Sequence, residues 1–198
     1  MKGIFRHRYF VAIIPIICII WLHGCIFIHV TKLTDDDLEW VKNYNYGDSV
    51  FFRSTYGNSD TLVVTKKYVN NSQNRFYFSE GLGPNKEANA ACDFILKHDE
   101  ESFEGWIQII KVIGDSLLCD INVWWRRTDD SNSTNKEIII ADSTNSRYSD
   151  YWKKRIKNKV EKFVWHKKYG LIYYKFEDGE EFFREELLPD SIRLGRSK

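Results

Sequence analysis

From Asp48 onward, short runs of β-branched and aromatic residues are interrupted every few positions by Gly, Asn, Asp or Ser, and this pattern constrains the fold more than any other feature. Such side chains suit a pleated, half-buried surface, and the interrupting residues supply the backbone geometries that turns demand. The pattern predicts strands over 49–54, 61–69, 75–79, 88–97, 104–113, 116–125, 136–141, 160–165, 171–176 and 180–187. Gly114-Asp115 and Asp178-Gly179 each separate two runs at a spacing that fits a hairpin, and Asp178-Gly179 reads as a type I′ turn with positive φ at both central positions. Helical crossovers between the runs are missing, as is any repeat of fixed period, so a parallel sheet is disfavoured. The expected fold class is mainly β: a curved antiparallel meander or half-open barrel, with one or two short helices on its surface.

The first helix is predicted from Thr34 to about Tyr44, because Thr34 through Asp37 reads as a capping box and the three aspartates meet the positive end of a helix. Leu38, Trp40 and Val41 would dock it on the sheet. A second, lysine-rich helix is expected over 148–158. Residues 126–136 are rich in Ser, Thr, Asn and Asp and poor in apolar side chains, and are expected to form a long exposed loop.

The N-terminus carries an export pattern. Lys2, Arg6 and Arg8 precede an apolar run over 9–22, the layout of a basic region followed by a hydrophobic one. The run ends at Leu22-His23-Gly24-Cys25, which resembles the bacterial lipobox, and that resemblance implies diacylation of Cys25. The alternative is an uncleaved anchor. No Asp, Glu, Lys or Arg occurs over 9–31, and a helix of that length, rising about 1.5 Å per residue, covers a ~30 Å hydrocarbon core. Both readings leave the positive flank in the cytoplasm and the rest outside it. Residues 1–31 are therefore read as signal peptide with lipobox or as transmembrane anchor, and 32–198 as one antiparallel β domain in the cell envelope, periplasmic or surface-exposed.

Charge narrows the partners. Without Lys2, Arg6 and Arg8 the 29 basic residues fall to 26 against 28 acidic ones, a balance unsuited to nucleic acid. No metal or cofactor motif is present: His98 and His166 belong to no His-x-x-x-His or Cys-x-x-Cys arrangement, and Gly81-Leu82-Gly83-Pro84 lacks the lysine and helix of a phosphate-cradling loop. A nucleophile elbow is also missing, and the Glu180-Glu181 and Glu185-Glu186 pairs, being adjacent in strands, point to opposite faces rather than converging. Cys18 lies in the apolar run, which leaves Cys92 and Cys119 as a candidate disulfide in an oxidising compartment, or as buried thiols. Trp124, Trp125, Arg126 and Arg127, where a strand meets the polar loop, are the candidate ligand-binding group, with tryptophan rings suited to stacking on sugar or peptide.

Three segments together resemble small exported lipoproteins of Bacteroidetes. They are Leu33-Thr34-Asp35-Asp36-Asp37-Leu38-Glu39-Trp40, then Tyr46-Gly47-Asp48-Ser49-Val50-Phe51-Phe52 with Asp60-Thr61-Leu62-Val63-Val64, and last Tyr169-Gly170-Leu171-Ile172 with Tyr174 and Asp178-Gly179-Glu180. The resemblance implies a compartment and no activity. A further pattern is similar to the O-glycosylation site of secreted proteins in that group, Asp followed by Ser or Thr and an apolar residue or Thr, and it marks Ser49, Thr61, Ser116, Ser143 and Ser191 as candidate acceptors. The same dipeptides also close turns before strands. The expected function is a membrane-anchored extracytoplasmic lipoprotein that serves as a binding or structural module and not as an enzyme, with an envelope glycan, lipid or protein as its partner. The alternatives are a lipid-carrier half-barrel and an enzyme acting on envelope glycans.

Overall fold

The computed structural model describes residues 29–71, 85–112, 114–131, 133–148 and 158–188. Residues 1–28 of the anchor expected over 1–31, with Cys25, the strand expected at 75–79, residues 149–157 of the helix expected at 148–158, and Ser191 lie outside the described residues; His29–Val30 form a strand rather than the end of the anchor, and Tyr148 is in a strand rather than a helix. Among the described residues no helix is long and apolar enough to cross a membrane.

The predicted runs become one antiparallel sheet of eleven strands. In spatial order these are β10 (Arg147–Tyr148), β8 (Arg126–Asp130), β7 (Leu117–Val123), β6 (Glu101–Lys111), β5 (Ala88–His98), β3 (Ser59–Asn70), β2 (Ser49–Ser54), β13 (Glu181–Arg184), β12 (Gly170–Phe176), β11 (Val160–His166) and β9 (Ile138–Ala141). A 3-10 turn, Glu185–Leu187, follows β13. Two short strands, β1 (His29–Val30) and β4 (Asn85–Lys86), pair in parallel outside this sheet. The sheet curls into a half-barrel whose first and last strands approach one another, with β8 close to β9.

Alternation places one face of each strand inside. In β2, for example, Val50, Phe52 and Ser54 are buried between more exposed neighbours. The two walls meet across the lumen, where the Phe94 ring on β5 stacks on Trp165 of β11 at 5.9 Å and Trp124 reaches Phe176 of β12 at 5.3 Å. Gly105 makes room for this. It pairs with Phe94, and a Cβ there would overlap the Phe94 ring and stand 2.7 Å from the Asn122 carbonyl.

The one α-helix among the described residues, α1 (Asp35–Lys42), crosses an open end of the barrel and buries Trp40 and Val41 in the same core. Its capping box forms as expected: Thr34 Oγ1 accepts from Asp37 N–H at 3.1 Å and Asp37 accepts from Thr34 N–H at 2.9 Å. The Asp37 carboxylate also takes the Lys111 ammonium at 3.1 Å, both groups almost fully buried. Burial works against the Asp37 charge, but the Thr34 bonds and Lys111 outweigh it and hold the carboxyl below its usual range. A cap residue thereby also fixes the helix to β6.

Two turn and loop expectations are corrected. The stretch predicted as an exposed loop over 126–136 begins with strand β8, whose Arg126 and Thr128 are buried; its polar side chains are used inside the fold, as detailed below. At Asp178-Gly179 only Gly179 has positive φ, at 96°, and Gly179 N–H donates to Phe176 O while Phe176 N–H donates to Glu180 O. That is a three-residue loop closed by a glycine bulge rather than a type I′ turn. The strand expected over 116–125 stops at Val123, and Trp124-Trp125 form a two-residue turn with positive φ at both positions, 51° and 68°; Gly114-Asp115, in its expected hairpin, also has positive φ at both, 90° and 63°.

Candidate functional site

Hairpin turns collect at the two ends of the barrel. One end carries α1, the entry strand β1 and the β11–β12 turn. The other carries the turns at Tyr56-Gly57, Asp99-Glu100, Trp124-Trp125, Asp142 to Asn145 and Asp178-Gly179. The four residues expected to bind a ligand lie at this second end, and the structure divides them among three jobs.

Trp124 is buried against Phe103, at 3.7 Å between ring centroids, and its indole N–H donates to Asn158 O at 3.2 Å. Trp125 is half-buried against the core, and its backbone N–H is held by the Asn122 side chain at 3.0 Å. Bulky residues with positive φ cost about 1–2 kcal/mol each. Burying an aromatic side chain of about 150–250 Å² at roughly 25 cal/mol per Å² returns about 4–6 kcal/mol, so packing prevails over the turn's backbone preference.

Arg126 is 5% exposed and spans the gap between the sheet's two edges. Its Nε donates to Val160 O on β11, Nη1 donates to Ser146 Oγ at 2.7 Å, and the guanidinium lies 4.5 Å over the Tyr148 ring. The Tyr148 hydroxyl also donates to Val160 O, and Thr128 Oγ1 donates to Asn145 O at 3.2 Å. The barrel is thus closed by side chains where the backbone ladder stops. Arg127 points outward and forms a bidentate pair with Asp120, both contacts at 2.7 Å. The quartet is therefore not one platform: two members hold the turn, one seals the barrel and one decorates its surface.

Directly beneath this end lies a polar group that sequence reasoning missed. Asp60 on β3 is 1% exposed, accepts from the Tyr174 hydroxyl, and faces His98 Nδ1 at 3.0 and 3.1 Å through its two oxygens. A carboxylate only accepts, so Nδ1 carries the proton. Rings of Trp124, Phe176 and Phe182 surround His98. Burial opposes its charge, yet the hydrogen bond and charge of Asp60, with Asp99 and Glu180 behind, raise its pKa. Burial and the Asp60 charge push the Tyr174 phenol well above its ordinary value, which keeps it a donor. His98 Nε2 faces the Asp99 carboxylate at 3.7 Å rather than a hydroxyl or thiol, so the arrangement neutralises a buried carboxylate and does not activate a nucleophile. The clue in the sequence was His98, next to a turn at the end of an apolar strand, but its partner Asp60 is 38 residues away, and Tyr174 is 114 residues from Asp60.

The other candidate residues are dispersed. Ser49 and Ser143 are exposed, Ser116 is half-buried in its turn, and Thr61 is half-buried within β3 between Phe51 and Lys97. Ser143 borders a polar groove of about 270 Å³ formed with Asp142, Thr144, Glu161, Lys162 and Lys175, in which Lys175 pairs with Glu161 at 2.8 Å. Of the two readings of Cys92 and Cys119 the candidate disulfide does not form, and both are free, buried thiols. They sit on β5 and β7 with β6 between them, opposite Ile107 and Ile109. Two strand spacings make about 9–10 Å, beyond the ~7 Å Cα separation a disulfide can bridge. Burial pushes both thiols up to about 12. Among the described residues no cluster of three or more His, Cys, Asp or Glu is placed to hold a metal ion.

No family model, curated protein or solved structure matches the chain.

Proposed function

We propose that the protein is a non-catalytic binding module, tethered outside the cytoplasm by its N-terminal stretch and working through the turn-bearing end of the barrel that lies away from the tether. The observation that carries this reading is the filled lumen, with Phe94 on Trp165 at 5.9 Å from opposite walls. An interior occupied by its own rings favours a binding module over a lipid carrier, whose sheet must enclose an apolar cavity of roughly 300 Å³ or more. The buried ionic groups support the same reading, because Asp60 is committed to His98 and Tyr174, and Asp37 to Lys111. Recognition then falls to the outer surface. At the turn end this presents Tyr56, 72% exposed, beside a rim that includes Asp99, Glu100 and Asp178. An aromatic ring next to hydrogen-bonding carboxylates suits an envelope glycan or a basic peptide segment.

Two experiments test the two halves of the reading. Palmitate labelling with a Cys25→Ser control, together with membrane fractionation, tests the tether. A cytosolic chain with neither lipid at Cys25 nor a retained apolar stretch would overturn it. For the rim, co-sedimentation of the full chain with isolated envelope polysaccharide should weaken about tenfold in Tyr56→Ala, matching loss of about 1.4 kcal/mol of stacking. Binding unchanged in that variant would remove the rim from consideration.

A further inference from the structure

The chain passes into the fold with no slack. The residue that ends the uncharged stretch, Thr31, donates its hydroxyl to Lys111 O at 2.6 Å and accepts from Ala88 N–H at 2.8 Å. Two residues later Leu33 is 2% exposed, and its backbone N–H and carbonyl are both held by the Asn71 side chain, at 2.9 and 3.1 Å. Thr34 then caps α1. If the stretch spans a bilayer, the body begins at the headgroups. If Cys25 is acylated, the four peptide steps from Cys25 to His29 reach at most about 14 Å. Either way the α1 end of the barrel is held against the membrane surface, not swung out on a linker.

The composition of that end fits such a position. Lys67 Nζ donates to Lys42 O at 3.1 Å and the Asn43 side-chain amide donates to Lys168 O, which draws the tail of β3 and the β11–β12 turn to the C-terminus of α1. Gly47 N–H bonds Val64 O and brings the Tyr46 turn alongside. Tyr46 is 80% exposed, Val69 48% and Tyr68 37%, and the Lys66 ammonium lies 5.6 Å over the Tyr68 ring. Tyrosines and lysines with apolar stems are the side chains that favour the boundary between hydrocarbon and water. On α1 itself, Asp36 is neutralised by Lys167 at 2.7 Å, exposed Asp35 opens the helix at the end away from Lys42, and Glu39, one turn before Lys42, is half-buried.

We propose that this end seats on the headgroup layer of an anionic phospholipid bilayer, with Tyr46, Tyr68 and Val69 at the contact and Lys42, Lys66 and Lys168 facing the lipid phosphates. The seating rests on the tethered reading above and adds to it a fixed orientation that turns the Tyr56 rim away from the membrane. Each lysine at an anionic surface strengthens the contact by roughly fivefold. Removing three therefore lowers it by roughly a hundredfold.

Hydrogen exchange on the full chain in lipid nanodiscs tests this. Phosphatidylglycerol-rich discs should slow exchange over 66–70 at least tenfold relative to phosphatidylcholine discs. High salt should lift that protection, as should the triple variant Lys42→Glu, Lys66→Glu, Lys168→Glu. Unchanged protection of β5 and β6 in the variant shows that the barrel is intact. A chain that enters the discs but exchanges over 66–70 equally in both lipids overturns the seating and leaves the tether standing. A chain that does not enter discs overturns the tether, and the seating with it.

Discussion

Arg126 and Arg127 are neighbours with the same chemistry, and alanine at each should separate a sealing role from a decorative one. Arg126→Ala deletes a 5% exposed guanidinium with two protein acceptors and a ring beneath it. A hydrogen bond from a charged group contributes roughly 1.5–3 kcal/mol, and a sheltered cation–π contact roughly 0.5–2 kcal/mol. Losing the charge also removes its desolvation cost, and the Tyr148 hydroxyl still serves Val160 O, so only part of that sum is lost. The expected net loss is about 2–4 kcal/mol, which for a chain of this size lowers the unfolding midpoint by about 4–16 °C. Arg127→Ala removes a pair whose arginine is 42% exposed. Its partner Asp120 is only 10% exposed and loses both bonds, so the cost rises to about 1–2 kcal/mol and the midpoint should move by about 2–8 °C, less than for Arg126. Thermal unfolding of the full chain in detergent micelles, followed by near-ultraviolet circular dichroism, reads the seam through Trp124 and Tyr148. Equal losses in the two variants would show that Arg126 does not close the barrel.

The raised pKa of His98 gives a pH signature. Its pairing with Asp60 stabilises fully below the unfolded value of about 6.5 and fades as pH rises through the higher folded value. Urea midpoints should therefore fall over that interval and flatten in His98→Gln; a wild-type midpoint that climbs there contradicts the assignment. Gly170 has φ of 72°, and a Cβ on it would run into the Tyr44 hydroxyl that accepts from Leu171 N–H. Gly170→Ala should cost about 3 kcal/mol or more by displacing that ring, against about 1–2 kcal/mol of backbone strain alone for Gly179→Ala, where the space is open. Comparable denaturation midpoints for the two variants would rule out the clash. Cys92 and Cys119 should resist a thiol reagent in the native protein and react in urea without prior reduction, and non-reducing mass spectrometry showing them joined would refute the free-thiol geometry.

Local chemistry determined the class of fold and its punctuation. Period-two alternation and turn residues act between near neighbours, so strands β2, β3, β5, β6, β7, β9, β11, β12 and β13 and the Thr34 capping box were legible as soon as the residues were read. The candidate site was legible only in part. Trp124 to Arg127 stood out by composition, but what each touches depends on contacts such as Arg126 with Val160, 34 residues on. A polar stretch looks like a loop until distant carbonyls are found to accept from it, and so β8 was hidden in 126–136.

Only the curled half-barrel decided which polar groups would be buried. Asp60, His98 and Tyr174 come together because β3, β5 and β12 curl around one lumen, and Lys111 meets Asp37 across 74 residues for the same reason. Trp-Trp occupies a turn that its own backbone preference opposes because burial of the rings outweighs the strain. Near-neighbour preferences are written residue by residue, whereas the partner of a buried charge is set by which strands the sheet brings face to face.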